Sequence, residues 1–410
     1  MPDSQSFSAP KSPDSDRQLG GLERFLLHET RNPYVANVLT AIAISQDSRI
    51  SLEEAITLVR EQGHKGVLAL LNYINFFMYL GGGGLRGIFY DGQQIAFEKV
   101  GITAKFHYGV SIGGVVAPIY GLRYLQSRDG PQATKGIDIS PDAFHEVTMK
   151  LALSMHESGL VSYLPRKIQP SVQNVNRYRR GFLGESFILK GPLVEVFKGF
   201  YGNLQVPDLQ GTVGIPVCDL RDGRVIVAGV DEEYNDRYVW SVLEEAISFP
   251  MVFELARRGR TINADGGLRS PPFRKLLQRG ADLIYCTLLN FYVPKVEKLD
   301  GRGLFGKVRL FNRVFELMQN DLTSAEIQLV TDLDPIQLSE GADPNGRVLL
   351  SLDDLSAYDS FEFDFKGYTH IDLIRRGSSV TKRVLNKLDP SFKYEGYNPQ
   401  VFLQRVARRL

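Results

Sequence analysis

Short apolar runs alternate with longer stretches of helical periodicity through most of the chain. Runs of β-branched and aromatic residues bounded by turn residues predict strands. The predicted strands are Ile74–Leu80, Phe106–Val110, Val213–Asp219, Val225–Val230, Thr261–Ala264 and Leu283–Leu289. Because helical patterns separate these runs, the chain is predicted to be an α/β protein, a three-layer sandwich with a mostly parallel central sheet.

Breaks in this pattern divide the chain into segments. Ser51 and Glu54 are spaced as a capping box at the start of a helix that is predicted to end near Gly63. The residues before Gly20 are polar and rich in Ser, Pro and Asp, which is typical of disorder. The predicted divisions are a disordered tail at 1–20, a helical N-terminal extension at 21–66, a main domain at 67–388 and a C-terminal tail helix at 389–410.

Residues 127–207 form an insertion between a predicted helix and the next sheet strand. An amphipathic helix is predicted around Pro141–Gly159, and an aromatic, basic stretch that includes Arg179 and Arg180 follows it. Two interpretations stand open. The insertion either covers the sheet, with its basic residues in water, or forms a lid that contacts lipid, since aromatic and cationic side chains together suit a membrane interface.

Ser111 lies in the sequence Gly109-Val110-Ser111-Ile112-Gly113, between a predicted strand and a predicted helix. Glycines two positions before and after a serine allow the sharp strand-to-helix turn of a nucleophile elbow. The backbone amides at the helix start favour the oxyanion of an acyl-transfer reaction. Ser111 is therefore a candidate nucleophile, with Gly109 and Gly113 as its support.

Four glycines, Gly81 to Gly84, follow the first predicted strand. Backbone amides without neighbouring side chains suit an oxyanion hole, which selects Gly82, Gly83 and Gly84 as its candidate donors. The same run also fits the G-x-G-x-x-G pattern of dinucleotide sites. That alternative needs an acidic residue at the end of the second strand, where His107 and Tyr108 stand, so no cofactor is predicted.

Asp265 begins the triplet Asp265-Gly266-Gly267 after another predicted strand. The glycine run, the serine elbow and this triplet, in this order, resemble the patatin-like phospholipase family. The resemblance extends from about Ile74 to about Leu388, and it implies a Ser-Asp dyad of Ser111 and Asp265 with Gly266 and Gly267 as turn support. Two positions differ from the common family pattern. Gly81 stands where the family often has aspartate, and Arg269-Ser270-Pro271 stands where it often has Asn-x-Pro.

The resemblance implies a serine hydrolase that cleaves carboxylic ester bonds of lipids, of the phospholipase A, lysophospholipase or lipase type. Arg86 is a candidate ligand for a phosphate head group, with solvent exposure or an ion pair as the alternative. The order of Ser111, Asp265 and His370 also permits a Ser-Asp-His triad esterase. A catalytically silent lipid-binding module is the remaining alternative.

Composition narrows the class of protein further. The chain has 410 residues and a net charge of +1, so it gives no electrostatic basis for binding nucleic acid. Cys218 and Cys286 lie in apolar runs, which predicts buried free thiols and a reducing, cytoplasmic location. The longest apolar stretch, Val67–Leu80, is too short to span a bilayer. Membrane contact is therefore expected to be peripheral, no metal site is predicted, and the expected partner is a lipid or ester substrate.

Overall fold

The computed structural model describes most of the chain from the N-terminal helices to the last helix. The described residues are 23–45, 49–157, 190–250, 252–269, 271–291, 303–341, 343–355, 358 and 369–388. The predicted tail at 1–20, the aromatic, basic stretch with Arg179 and Arg180, and the predicted helix at 389–410 lie outside these residues.

An eight-stranded sheet forms the centre of the molecule. Its strands are β1 (Phe76–Leu80), β2 (Phe106–Gly109), β3 (Val213–Asp219), β4 (Val225–Ala228), β5 (Ala256–Arg258), β6 (Thr261–Asp265), β7 (Leu283–Leu288) and β8 (Val348–Leu352). The order across the sheet is β5-β6-β3-β2-β1-β7-β8, and β4 pairs with β3 outside this path. The five neighbouring strands β3, β2, β1, β7 and β8 pair in parallel. The strands β4, β5 and β6 pair antiparallel. The sheet is therefore mostly parallel, as predicted.

Helices cover both faces of this sheet. They are α1 (23–30), α2 (Pro33–Ile44), α3 (Leu52–Gln62), α4 (His64–Leu70), α5 (Phe89–Val100), α6 (Ile112–Asp129), α7 (Pro141–Glu157), α8 (Gly191–Tyr201), α9 (Val239–Ala246), α10 (Phe273–Gln278), α11 (Gly303–Thr331), α12 (Pro335–Glu340) and α13 (Thr369–Leu385). Within the described residues, no helix has both the length and the apolar character needed to cross a membrane.

The hydrophobic core divides into two clusters because side chains alternate along each strand. In β1, Phe76, Met78 and Leu80 belong to the larger cluster, whereas Phe77 and Tyr79 belong to the smaller one. The larger cluster lies under the N-terminal helices and α5, α6, α9 and α13, and the smaller one lies under α10 to α12. A buried sheet between two helical layers confirms the predicted α/β sandwich.

The N-terminal helices pack directly on the sheet. Tyr34 on α2 donates its hydroxyl to the carbonyl of Val348, at 3.1 Å. Asn37 donates to the carbonyl of Asp282 at 2.6 Å, next to the start of β7. Ser51 and Glu54 form the predicted capping box, and α3 ends at Gly63. This part of the chain therefore contributes to the same core as the strands that carry the candidate site.

β3 is the strand that joins the parallel and antiparallel parts of the sheet. Its first residues pair in parallel with β2, where Tyr108 lies opposite Gly214. Its last residues pair antiparallel with β6, where Val217 lies opposite Asp265. The end of β6 is thereby brought to the edge at which β2 ends and the chain turns into α6.

Candidate active site

Ser111 occupies the turn between β2 and α6. Its φ of 54° and ψ of −121° are unusual for a residue with a side chain, and such backbone strain is characteristic of functional turns. Helix α6 begins at the next residue and continues for 18 residues. The hydroxyl therefore lies at a helix amino terminus, where backbone amides have no partner within the helix.

Gly109 and Gly113 are required by close backbone contacts in this turn. A Cβ at Gly109 would overlap the carbonyl oxygen of Gly113, and a Cβ at Gly113 would overlap the carbonyl oxygen of Leu80. Three chain segments, the ends of β1 and β2 and the start of α6, consequently meet without intervening side chains. Both glycines are placed where an elbow needs them.

Asp265, the last residue of β6, is almost completely buried, at 2% exposure. The Gly267 amide donates to Oδ1 at 2.7 Å, and the side chain of Ser111 lies next to the carboxylate. Burial raises the pKa of Asp265 to about 6, and the proximity of Ser111 and the Gly267 amide opposes that rise. A carboxylate with a pKa close to neutrality is both ionised at pH 7 and basic enough to accept a proton.

Gly266 and Gly267 let the chain turn at this carboxylate. A Cβ at Gly266 would overlap the carbonyl oxygen of Pro216 on β3. A Cβ at Gly267 would come 3.3 Å from Cγ1 of Val110, the residue before the candidate nucleophile. The Asp-Gly-Gly turn therefore packs directly on the serine elbow.

The glycine loop after β1 lies against the same serine. A Cβ at Gly82 would come 3.2 Å from the Cβ of Ser111, so the backbone of Gly82 borders the hydroxyl. Among the described residues, the amides of Gly82, Gly83 and Gly84 donate to no protein acceptor. Amides that border a nucleophile and have no protein partner are suited to bind an oxyanion.

Neighbouring strands hold this loop in place. The Gly81 amide donates to the carbonyl of Thr287 on β7 at 3.0 Å, and the Tyr90 hydroxyl donates to the Gly81 carbonyl at 2.7 Å. Thr287 in turn donates its hydroxyl to Gln93 at 2.7 Å. All these groups are buried, so the loop has a fixed position before any substrate arrives.

Arg86 is buried next to the glycine loop. The side chain is 4% exposed and is not among the described residues that line the cavity at Ser111. Its Nε donates to the carbonyl of Tyr358 at 2.8 Å, and its Nη1 donates to Oδ1 of Asn290 at 2.6 Å. The guanidinium thus joins the glycine loop to neighbouring segments of the protein, and its role towards a head group stays a prediction.

Asn290 is a residue that the sequence reasoning missed. It lines the cavity, and its Oδ1 would lie 3.3 Å from a Cβ at Gly83. It follows the carboxyl end of β7, and residues after parallel strands meet at one edge of a sheet. The position of Asn290 just after a predicted strand is the sequence signal that could have identified it as a residue of the site.

The cavity around Ser111 and Asp265 is mainly apolar. Its floor contains the glycine loop and the two candidate catalytic side chains. Its apolar wall is built from Leu151, Leu193, Phe197, Ile247, Phe249, Phe253, Leu288, Leu289 and Phe291. Such a wall suits the acyl chain of an ester. Arg269, which follows the Asp-Gly-Gly turn, is an exposed cation at the same cavity.

None of the described residues that line this cavity is a histidine. His370 lies at the start of α13. His107 on β2 is buried in the sheet, where burial lowers its pKa to about 3. Within the described residues there is also no group of three or more His, Cys, Asp or Glu side chains that could hold a metal ion.

Comparison with known proteins identifies the part of the chain that carries this site. A sequence model of the patatin-like phospholipase family matches residues 78–277. The matched segment includes the glycine loop, Ser111 and Asp265, and the match supports lipid acyl hydrolysis in general.

Other comparisons find more distant similarity. No curated protein sequence matches the chain. Among solved structures, the chain is similar to VipD from Legionella pneumophila, with a TM-score of 0.36 and 11% sequence identity. That alignment covers 76% of this chain and 67% of the VipD chain.

Proposed function

We propose that the protein is a serine acyl hydrolase that cleaves carboxylic esters of lipids with Ser111 as nucleophile and Asp265 as general base. The observation that carries this proposal is the position of Ser111, on its strained turn, beside the buried carboxylate of Asp265 in one cavity. The family match at residues 78–277 supports lipid substrates, and the apolar cavity wall is consistent with an acyl chain.

Acylation begins when Asp265 accepts the proton of the Ser111 hydroxyl. The Ser111 oxygen forms a bond to the ester carbonyl carbon, and the carbonyl electrons move to its oxygen. The amides of Gly82, Gly83 and Gly84, with the free amino end of α6, stabilise this oxyanion. Collapse of the intermediate breaks the ester bond, and the protonated Asp265 gives its proton to the departing alcohol.

Deacylation repeats the same proton path with water. Asp265 accepts a proton from a water molecule while the oxygen of that water attacks the carbonyl carbon of the acyl-serine. The second intermediate is held by the same amides. Ser111 leaves and recovers its proton from Asp265, and the fatty acid is released. A single carboxylate thus acts as base and then as acid in each half of the reaction.

A serine-directed organophosphonate tests the nucleophile directly. We expect covalent labelling on the peptide that contains Ser111, located by mass spectrometry, and loss of both labelling and ester hydrolysis in Ser111→Ala. Removal of a nucleophile typically lowers turnover by about 10⁴-fold or more.

Serine residues outside the elbow provide the matched control. Ser140→Ala changes a serine at the start of α7 and should leave labelling unchanged. Labelling of a different serine in the Ser111→Ala protein would show that the nucleophile lies elsewhere.

A further inference from the structure

The side-chain amide of Asn290 has one end bound by the protein and the other end without a protein partner. Its Oδ1 accepts a hydrogen bond from Nη1 of Arg86 at 2.6 Å. A guanidinium has only donors, so this contact fixes which end of the amide faces Arg86. Among the described residues, no acceptor receives a hydrogen bond from Nδ2. Because Asn290 is half-buried and lines the cavity at Ser111, it offers the cavity an amide donor.

Two hydrogen bonds tie the glycine loop to the chain segment that carries Asn290. At the start of the loop, the Gly81 amide donates to the carbonyl of Thr287 at 3.0 Å. Beyond the loop, Arg86 donates to Asn290. The candidate oxyanion amides of Gly82–Gly84 lie between these two contacts. The loop and the end of β7 therefore run side by side in a fixed relative position.

Gly83 and Asn290 are close neighbours across these two segments. A Cβ at Gly83 would lie 3.3 Å from Oδ1 of Asn290, and one at Gly82 would lie 3.2 Å from the Cβ of Ser111. The Gly83 carbonyl accepts from the backbone amide of Arg86 at 3.1 Å, so this carbonyl has its partner within the protein. Since Oδ1 and Nδ2 are bonded to the same carbon, the donor of Asn290 lies beside the donors of the glycine loop.

We propose that Asn290 is a further catalytic residue, whose Nδ2 donates to the carbonyl oxygen of the ester as that oxygen becomes an oxyanion. This inference rests on the proposed function, because it adds a donor to the oxyanion hole of that reaction. A side-chain amide donates without carrying a charge. When its position is fixed in advance, it stabilises the transition state without a cost for rearrangement.

Arg86 acts through Asn290 and is a positioning residue. Its side chain is 4% exposed, and its Nε donates to the carbonyl of Tyr358 at 2.8 Å, so the guanidinium has a fixed orientation. Without this contact the Asn290 amide could turn over and present Oδ1, an acceptor, to the developing oxyanion. A cationic donor on Oδ1 also polarises the amide and strengthens donation from Nδ2.

Steady-state kinetics on a monomeric, uncharged short-chain ester measures the contribution of this donor. Asn290→Ala removes the donor, and we expect kcat to fall by about a hundredfold while KM changes by less than about threefold. Asn290→Asp keeps the shape but places a negative charge beside the oxyanion, so its kcat should fall further. The control Asn235→Ala changes an exposed asparagine outside the cavity and should keep the wild-type kcat.

A double-mutant cycle tests the role of Arg86. Arg86→Lys keeps the charge but loses the planar pair of donors that binds two partners, so it should lower kcat. Because Arg86 acts through Asn290, the same change should cause no further loss in the Asn290→Ala background. Losses that multiply, or a loss seen only on a phosphate-bearing ester, would overturn this positioning role. Thermal unfolding checks each variant, and the Asn290 variants test the donor whether or not Arg86→Lys folds.

Binding of a trifluoromethyl ketone separates the oxyanion from the ground state. The ketone adds to the serine hydroxyl and forms a tetrahedral oxyanion. Its Ki should therefore rise in Asn290→Ala by the same factor by which kcat/KM falls. The Kd of the matching non-hydrolysable ether should change by less than about threefold, because the ether forms no oxyanion.

Two results would overturn the role of Asn290 and leave the hydrolase proposal intact. The first is an unchanged kcat in Asn290→Ala when the wild type hydrolyses the ester and is labelled on Ser111. The second is an equal loss of affinity for the ketone and the ether, which would make Asn290 a ground-state contact. A wild type that hydrolyses no ester and takes no organophosphonate label would contradict the hydrolase proposal, and the role of Asn290 with it.

Discussion

Two buried aspartates lie close to the cavity and have different surroundings. Asp265 is 2% exposed and Asp91 is 3% exposed, and burial is the largest cause of a raised pKa in both. Asp265 accepts a hydrogen bond from a backbone amide and has the side chain of Ser111 beside it. Asp91 lies 2.6 Å from Nδ1 of His145 and accepts a second hydrogen bond from Thr148.

The partners decide what each carboxylate can do. His145 offers Asp91 a positive charge, and Asp91 raises the pKa of His145 in return. The contact with His145 lowers the pKa of Asp91 and so opposes the rise that burial causes. Asp265 has a neutral partner, Ser111, whose proton is the one that the reaction must move. Burial together with a neutral, reactive partner therefore distinguishes a general base from a structural acid.

The largest expected effect is the loss of activity when the base is removed. Asp265→Asn keeps the shape and the hydrogen bonds of the side chain but cannot accept a proton, so kcat/KM should fall by about 10³-fold or more. Asp91→Asn should change kcat/KM by less than about tenfold, because Asp91 touches no reacting atom. Steady-state kinetics on a monomeric ester measures both.

A histidine variant provides the control for this comparison. His370→Ala should retain most of the wild-type activity, since α13 does not place this residue at the cavity. A folded His370→Ala enzyme as inactive as Ser111→Ala would mean that a triad, with histidine as base, performs the reaction.

The second-largest expected effect comes from the glycine loop. It distinguishes oxyanion binding by this loop from proton transfer by Asp265. A side chain at Gly83 would meet Leu289, with its Cβ 2.7 Å from that of Leu289. Gly83→Val should therefore displace the loop and lower kcat by about a hundredfold while KM changes little. An unchanged kcat would remove the loop from the mechanism. The acid limb of the pH profile should stay in place, because Asp265 is unaltered.

Removal of the Asp265 charge should stabilise the fold at high pH. The folded-state pKa of Asp265, about 6, lies above the ordinary value of 3.8, so the ionised form destabilises the fold. Asp265→Asn should raise the free energy of unfolding by about 1–3 kcal/mol at pH 8. The gain should disappear as pH falls through 6 towards 4, where the native carboxyl is protonated.

Chemical denaturation at pH 8 and pH 4 measures these differences. An Asp265→Asn protein that is less stable than the wild type at pH 8 would show that the carboxylate stabilises the fold. The comparison of Asp265 with Asp91 could then no longer rest on the burial of the Asp265 charge.

The pH profile of the wild type gives a smaller effect. Asp265 must be ionised to act, and its pKa is about 6, so kcat/KM should fall by about tenfold between pH 7 and pH 5. The initial rate on a soluble, uncharged ester measures this limb. An acid limb centred near pH 4 would indicate a carboxylate whose pKa is not raised by burial.

The smallest effect concerns His145. Its pKa is raised by Asp91, so the pair contributes stability that is complete below the unfolded pKa of histidine and is lost as pH rises through the folded pKa. His145→Gln should therefore lower the melting temperature more at pH 6 than at pH 9. The side chain is 41% exposed, so we expect a loss of about 1 kcal/mol or less. An equal loss at both pH values would assign His145 a packing role.

Much of the sheet was predictable because its strands are short and apolar. All six predicted strands exist, and the helices at 112–129 and 141–157 match their predicted positions. Two strands were missed. In β5, Arg257 and Arg258 are exposed and have the composition of a turn. In β8, the turn residues Asp343 to Gly346 stand just before the buried run Val348–Leu352, so the sequence signal for this strand was present and was not used.

The candidate site was predictable in its residues and less so in its surroundings. Ser111, Asp265 and the glycines carry local patterns that backbone geometry demands. The burial of Arg86 could not be predicted, because its partners, Asn290 and Tyr358, are distant in sequence. The polar face that α11 turns towards the cavity was missed for a related reason. The hydrophobic periodicity of a helix shows that it has an apolar face and a polar face. It does not show which face is turned inward when the helix borders a cavity instead of the hydrophobic core.

The order of the strands also has a consequence for synthesis of the protein. The elbow at Ser111 is translated before Asp265, which stands at the end of β6. Thr287 and Asn290, which hold the glycine loop, are translated later still. A nascent chain that ends before Thr261 contains the proposed nucleophile without its proposed base. On the proposed mechanism, each molecule therefore gains activity only after most of its length has been translated and has folded onto β3 and β1.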